Sequence, residues 1–304
     1  MQWRSLTIWE RRSIGRSRSG AAGLFERAKP GLLRAVRLCT RVRLTRTPLL
    51  EVFSAVQCLW SHRWRMGRLF LVRHAQASFL EPSYDRLSPT GETQAHLLGE
   101  YWARRNVVFD RVCSGPRLRQ RGTAKIVGEA YRNAGLHFPE PVVMQEFDEY
   151  QGDAVLEHSL TRLLKNDSRV RELHQAFVES AGTSEQPKNF QKMFEAVIGK
   201  WAGGEIAIPG VESWPEFCAR VNRGLSQVVS TANRGEQIVI VCSGGPIGVV
   251  MQRALNLSSR DTLGAVWMSR NCSYSEFLFS GDRFTLSAFN AFPHLDDPSL
   301  LTYR

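Results

Sequence analysis

The segment Gln237-Ile-Val-Ile-Val-Cys242 constrains the fold more than any other stretch of this 304-residue chain. Its β-branched residues run on without alternating with polar ones, so a strand made from them buries both of its faces. Such a strand belongs inside a sheet with helices on either side. Gly244-Gly245 follows at once and leads into a helical segment, 246–255. Leu69-Phe70-Leu71-Val72, a short apolar run bounded by charge, reads as a second buried strand.

Helical and strand-like segments alternate around these two runs. Ser88-Pro89 suits an N-cap followed by proline at the first helical position, and Ala95, Leu98, Gly99 and Trp102 then recur at helical spacing. Residues 107–113 are predicted as a strand, 116–134 and 215–232 as helices, and 273–279 and 283–289 as two further strands. The fold class expected is α/β: a mostly parallel central sheet flanked by helices on both faces. The charged stretch 154–201 carries no strand pattern and is expected to form a helical cap insertion over the sheet. Arg162, Lys165, Asp167, Arg169 and Arg171 within it read first as a solvated face and do not identify a substrate.

Charge divides the chain into an extension, 1–66, and a domain, 67–304. Thirteen arginines and one lysine against three acids place the whole net charge of +11 in residues 1–66, leaving the remainder neutral. Three readings of this basic, disordered-looking extension compete. The first is a misassigned start, with Met66 as the natural first residue. An organelle transit peptide is the second, given the many Arg and few acids. The third is an arm that contacts nucleic acid or anionic lipid through phosphates. A secretory signal ranks last, because no apolar core with a small-residue cleavage site follows the charges. The six cysteines form no CxxC pair, which suggests neither a disulfide framework nor a zinc site and makes a reducing, cytoplasmic setting the expectation. No run approaches the ~18 apolar residues of a membrane span.

Ligands of such sheets bind beyond the carboxyl ends of the strands. Arg73 and His74 follow the first strand, Ser114-Gly-Pro-Arg-Leu-Arg119 the second, and Ser243-Gly-Gly-Pro-Ile247 the strand ending at Cys242. Guanidiniums, an imidazole and backbone N–H groups at a helix start suit a phosphate. Each alone has a plainer reading, as a structural histidine, a solvated arginine or a turn. Their joint placement at three strand ends favours a site.

Several of these segments, in order, resemble the histidine phosphatase (phosphoglycerate-mutase-like) superfamily. LVRHAQAS (71–78) resembles its signature strand and RHG/RHA turn, and YDRLSPTGETQA (84–95) the segment that follows. SGPRLRQRGTA (114–124) is similar to its S-x-x-x-x-R-x-x-x-T-A element, and VMQEFDEY (143–150) to its L-x-E region. VESWPEFCARV (211–221), VCSGGPIG (241–248) and FNAFPHL (289–295) resemble the later elements. The resemblance covers about 67–304 and specifies the family far better than a substrate.

The resemblance implies a metal-independent, cofactor-free phosphatase that hydrolyses a small phosphomonoester through phosphohistidine on His74. Arg73, Arg119, Ser243 and Gly244 would bind phosphate. Glu146 would be the acid and base, with Glu149 in reserve because EFDE offers two carboxylates one turn apart. Where the family usually has S-H-G-G, this chain has Cys242-Ser243-Gly244-Gly245. Loss of one preorganised donor costs on the order of 10²–10³ in rate, so a slow enzyme is expected. An inactive phosphate-binding or regulatory module of the same fold is the alternative. A mutase is disfavoured because Ala75-Gln76-Ala77-Ser78-Phe79 lacks the RHGES-x-W-N continuation. Of the other histidines, His294 comes nearest to the missing one, with a structural contact as its first reading. Membrane and nucleic-acid partners are not expected for the domain.

Overall fold

The computed structural model describes residues 66–78 and 85–303. The extension 1–66, apart from Met66, and Phe79 lie outside the described residues. A six-stranded sheet, in the order β3-β2-β4-β1-β5-β6, forms the centre. Its strands are β1 (Gly67–Arg73), β2 (Arg111–Ser114), β3 (Val142–Val143), β4 (Gln237–Cys242), β5 (Tyr274–Ser280) and β6 (Arg283–Ala291). β1, β2, β3 and β4 run parallel to one another, and the β5–β6 hairpin adds an antiparallel edge beside β1.

Alternate residues of a strand face opposite sides, so each apolar run serves two cores. Phe70, Val72, Val239 and Val241 pack with Trp102, Phe109 and Tyr131 on one face. Leu69, Leu71, Ile238, Ile240 and Cys242 pack with Phe217, Val221 and Ile247 on the other. The first face is covered by α1 (Pro89–Arg104) and α2 (Leu118–Asn133). The second is covered by α6 (Trp214–Ser230) and α7 (Gly244–Leu255). Trp102 meets Phe70, Phe109 and Tyr274 at ring-centroid distances of 5.9, 5.0 and 5.4 Å. Cutting such a residue to alanine typically costs about 3–5 kcal/mol.

Helix boundaries follow local chemistry. The Ser88 side chain accepts from the Gly91 N–H at 3.0 Å, with Pro89 in the first turn. Ser213 and Glu216 close a reciprocal capping box at the start of α6. α7 ends at Asn256, whose φ of 54° is the left-handed conformation that asparagine tolerates.

The expected insertion is present as three helices, α3 (Gly152–Asn166), α4 (Ser168–Glu179) and α5 (Gln186–Ala202). Val155, Leu163, Val170, Val197 and Trp201 bury its inner faces in the same apolar cluster as the second sheet face. Asp167 ends α3 and starts α4, accepting from Val170 N–H at 2.9 Å and from Lys200 at 2.8 Å. The strand expected over 107–113 is shorter, beginning at Arg111, because Asn106 turns the chain with φ 52° and the Val107 N–H still bonds the carbonyl of Trp102. Two elements had no clear sequence signal: the two-residue β3 and α8 (Ser259–Trp267), which Ser258 caps. Among the described residues, no helix is long and apolar enough to cross a membrane.

Candidate active site

The parallel register sets the site. Arg73 is paired with Cys242, so the chain leaves β1 and β4 at the same level, and the His74 N–H bonds the Cys242 carbonyl at 2.8 Å. β2 ends beside β4, at Ser114, and delivers the start of α2 to the same edge. Three strand ends therefore open onto one cleft of about 840 Å³, lined by Arg73, His74, Arg117, Arg119, Glu149 and Gly244 from the sheet side.

His74 is 93% covered but faces that cleft, with 7% of its surface exposed. Its Nδ1 lies 2.8 Å from the Ala75 carbonyl, which can only accept, so Nδ1 carries the proton. Nε2 is then the lone-pair nitrogen, and the Arg119 Nε–H donates to it at 3.1 Å. Burial, followed by the charges of Arg119 and Arg73, holds the imidazole well below the usual histidine range. That direction favours the neutral ring, and its Nε2 lone pair rests on Arg119 in a residue that lines the cleft.

The surrounding cations are held individually. The Arg73 Nη1 group donates to the backbone carbonyl of Ser269, just after α8, and to its hydroxyl at 3.3 Å. Arg119, in the first turn of α2 and 5% exposed, donates through Nη1 to Asp85 at 2.7 Å. The other Asp85 oxygen accepts the Leu118 N–H at 2.8 Å, so one carboxylate orients the arginine and caps its helix. Thr123 ties the histidine turn to α2, accepting from Ala75 N–H at 3.0 Å and donating to the Arg119 carbonyl at 2.8 Å. Arg117 lines the cleft and pairs with Asp148 at 2.6 Å.

The two candidate acids separate clearly. Glu146, the expected acid and base, is not among the residues that line the cleft. It sits in a single 3₁₀ turn (Gln145–Phe147) with its β-carbon packed against Gly224 of α6; a Cβ at Gly224 would lie 2.5 Å away. The Cγ of Glu146 also lies against Gly224, so the carboxylate expected as acid and base belongs to a residue packed on α6 and outside the cleft lining. Glu149 is the carboxylate in the cleft. Its oxygens accept from the N–H groups of Gly245 at 3.2 Å and Tyr150 at 3.0 Å, and burial outweighs these bonds and pushes its pKa up.

Ser243 is fully buried and does not line the cleft. Its hydroxyl accepts from the Gln120 side-chain amide at 2.8 Å. That amide also reaches the Phe147 carbonyl at 3.3 Å, while its oxygen accepts the Arg117 N–H at 3.0 Å. Ser243 is thus part of a buried strut joining the segments that follow β2, β3 and β4, and Gly244 is the residue of that turn that lines the cleft, at the positive end of α7. His294 is buried against Tyr101 outside the cleft, where burial lowers its pKa to about 4.

Asp85, Arg117 and Gln120 were not singled out from sequence. Asp85 and Arg117 lie inside the quoted motifs, and a charge next to an expected anion site was the available signal. Nothing in the sequence marked Gln120, because its role depends on three backbone segments meeting. Among the described residues, no group of three or more His, Cys, Asp or Glu side chains could hold a metal ion.

A protein of Hydrogenobacter thermophilus provisionally named phosphoserine phosphatase 2 is 26% identical over 240 residues, which is 75% of this chain and 98% of the relative. A solved Escherichia coli K-12 structure, described provisionally as an alpha-ribazole-5′-phosphate phosphatase, shares the fold at a TM-score of 0.50 and 17% identity, covering 74% of this chain and 96% of the other. A Bacillus anthracis phosphoglycerate mutase structure does so at 0.50 and 14%, covering 77% and 97%. The sequence model of the histidine phosphatase superfamily (branch 1) matches residues 69–154 and 154–291, most of the chain. With the sheet, the cap and the strand-end histidine all in place, this chain belongs to the histidine phosphatase superfamily.

Proposed function

We propose that the protein is a phosphatase that hydrolyses a phosphomonoester through a phosphohistidine on His74. One observation carries the reading: His74 lines the cleft with its Nδ1 proton on the Ala75 carbonyl and its Nε2 accepting from Arg119, and Arg73 and Arg119 line the cleft with it. Phosphoryl transfer asks mainly for positioning and charge neutralisation, and the paired donors of an arginine match phosphate oxygens. The entering phosphate takes over the Arg119 Nε–H that rests on Nε2, freeing the lone pair for attack.

In the first step Nε2 forms a bond to phosphorus as the ester P–O bond breaks, and the departing oxygen takes the proton of the Glu149 carboxylic acid. In the second, the Glu149 carboxylate removes a proton from water as its oxygen bonds phosphorus. The P–N pair returns to His74 and inorganic phosphate leaves. Burial of Glu149 favours the protonated form that the first step needs. The guanidiniums supply the charge, so the scheme has no step that calls for a metal or cofactor.

Hydrolysis of an aryl phosphate by the full chain tests the reading, with O-phosphoserine the first natural ester to try given the name of the Hydrogenobacter relative. Turnover abolished in His74→Ala is expected. Binding of phosphate esters without turnover would instead favour the inactive module.

A further inference from the structure

The cleft is far larger than a phosphate, and its two sides differ in chemistry. Every arginine that lines it comes from the strand-end side, namely Arg73, Arg117 and Arg119. The cap side is built otherwise. Pro187, Phe190, Gln191, Phe194 and Glu195 of α5 all face the cleft, the i, i+3, i+4, i+7, i+8 stripe of one helix. Phe190 and Phe194 stack with centroids 6.0 Å apart and planes 22° from parallel, giving an apolar wall in which Phe190 is the more accessible ring and Phe194 is anchored in the core. Trp267 adds a third aromatic side chain. Two carboxylates complete this side: Asp153, exposed in the first turn of α3, and Glu195, whose Oε1 accepts from Gln191 at 2.8 Å. Neither is in an ion pair among the described residues, and no lysine or arginine of the cap lines the cleft.

We propose that the cleft selects a phosphomonoester whose alcohol is apolar and ring-sized and ends in a cationic amine, and that it discriminates against esters with a second anionic group. This rests on the phosphatase reading and adds a substrate class to it. With the phosphate fixed at His74, the organic part must extend along the Phe190–Phe194 wall, since the floor is occupied by guanidiniums. An ammonium at its far end would stand near Asp153 and Glu195 and over aromatic faces, both favourable to a cation. A carboxylate there would meet two like charges and no lysine or arginine of the cap.

Three aryl phosphates with leaving phenols of similar acidity isolate that end group: phosphotyramine (amine), 4-methylphenyl phosphate (neutral) and 3-(4-phosphonooxyphenyl)propanoate (carboxylate). The full chain should rank them in that order by kcat/KM. Exposed ion pairs support roughly two- to fivefold per step. In the Asp153→Asn/Glu195→Gln variant, which keeps side-chain shape, the amine-to-carboxylate ratio should fall several-fold. Raised salt should shrink the ratio in the unaltered protein. A flat or reversed order with His74-dependent turnover overturns the proposal and leaves the phosphatase reading standing, as does a ratio the double substitution does not move. Absence of His74-dependent turnover on all three overturns both.

Discussion

Exchanging the two glutamates of the EFDE segment for glutamine separates them by function. Glu149 lines the cleft and can pass a proton to a leaving oxygen, whereas Glu146 is packed against Gly224 outside it. Removing a positioned proton donor typically costs 10²–10⁴ in rate, about 3–5 kcal/mol at ~1.4 kcal/mol per tenfold. Glu149→Gln should therefore lower kcat for an alkyl phosphate, whose leaving oxygen needs the proton, by two to four orders of magnitude. With 4-nitrophenyl phosphate, whose leaving group departs unassisted, the first step should survive and the second should stall, giving a burst of nitrophenol followed by a slow steady state. The amide can still accept the Gly245 N–H through its oxygen, but its NH₂ then faces the Tyr150 N–H, a mismatch that costs about 1–3 kcal/mol and should lower Tm by a few degrees. Glu146→Gln should leave kcat within about twofold, as expected of a substitution outside the site. Rapid-quench and steady-state kinetics on both variants decide. Loss of activity in Glu146→Gln with little change in Glu149→Gln would refute the assignment.

The pH profile follows from the two perturbed groups. His74 must be neutral and its pKa is depressed, so the acid limb of kcat/KM for an alkyl phosphate should lie below the ordinary histidine value of 6.5. Glu149 must be protonated and its pKa is raised, so the alkaline limb should lie above the ordinary 4.5 and disappear in Glu149→Gln; the ionisation of the substrate is common to both proteins. Asp85→Asn weakens the hold on buried Arg119 and should cut kcat/KM by about tenfold or more while lowering stability by about 1–3 kcal/mol, measured by denaturant unfolding. Ser243→His, which would restore the usual family residue, should reduce activity and stability here because the imidazole displaces the Gln120 amide; adding Gln120→Ala should recover much of the lost stability, whereas gain of activity in the single variant would contradict the buried strut.

Sequence reasoning reached the parts of this protein governed by local pattern. The run through Ile238–Val241 required a strand covered on both sides, and Ser88-Pro89 set a helix start through its own cap. Arg73, His74 and Arg119 were legible because a strand end fixes where its next residue goes. The orientation of Glu146 was not legible: one 3₁₀ turn decides which of two carboxylates three residues apart enters the cleft, and that turn is set by packing against α6. The setting of Ser243 was not legible for a related reason. Its position in the turn was evident, but its engagement by Gln120 depends on a residue 123 positions away in the chain. β3, with two residues, was too short to leave a periodic signal.

Trapping the covalent intermediate tests the central claim most directly. Glu149→Gln, mixed with 4-nitrophenyl phosphate and quenched in alkali, which preserves phosphohistidine, should yield a close to stoichiometric phosphate on the peptide that contains His74, and His74→Ala should yield none. Steady hydrolysis with no phosphate on that peptide, or hydrolysis that persists in His74→Ala, would contradict the mechanism.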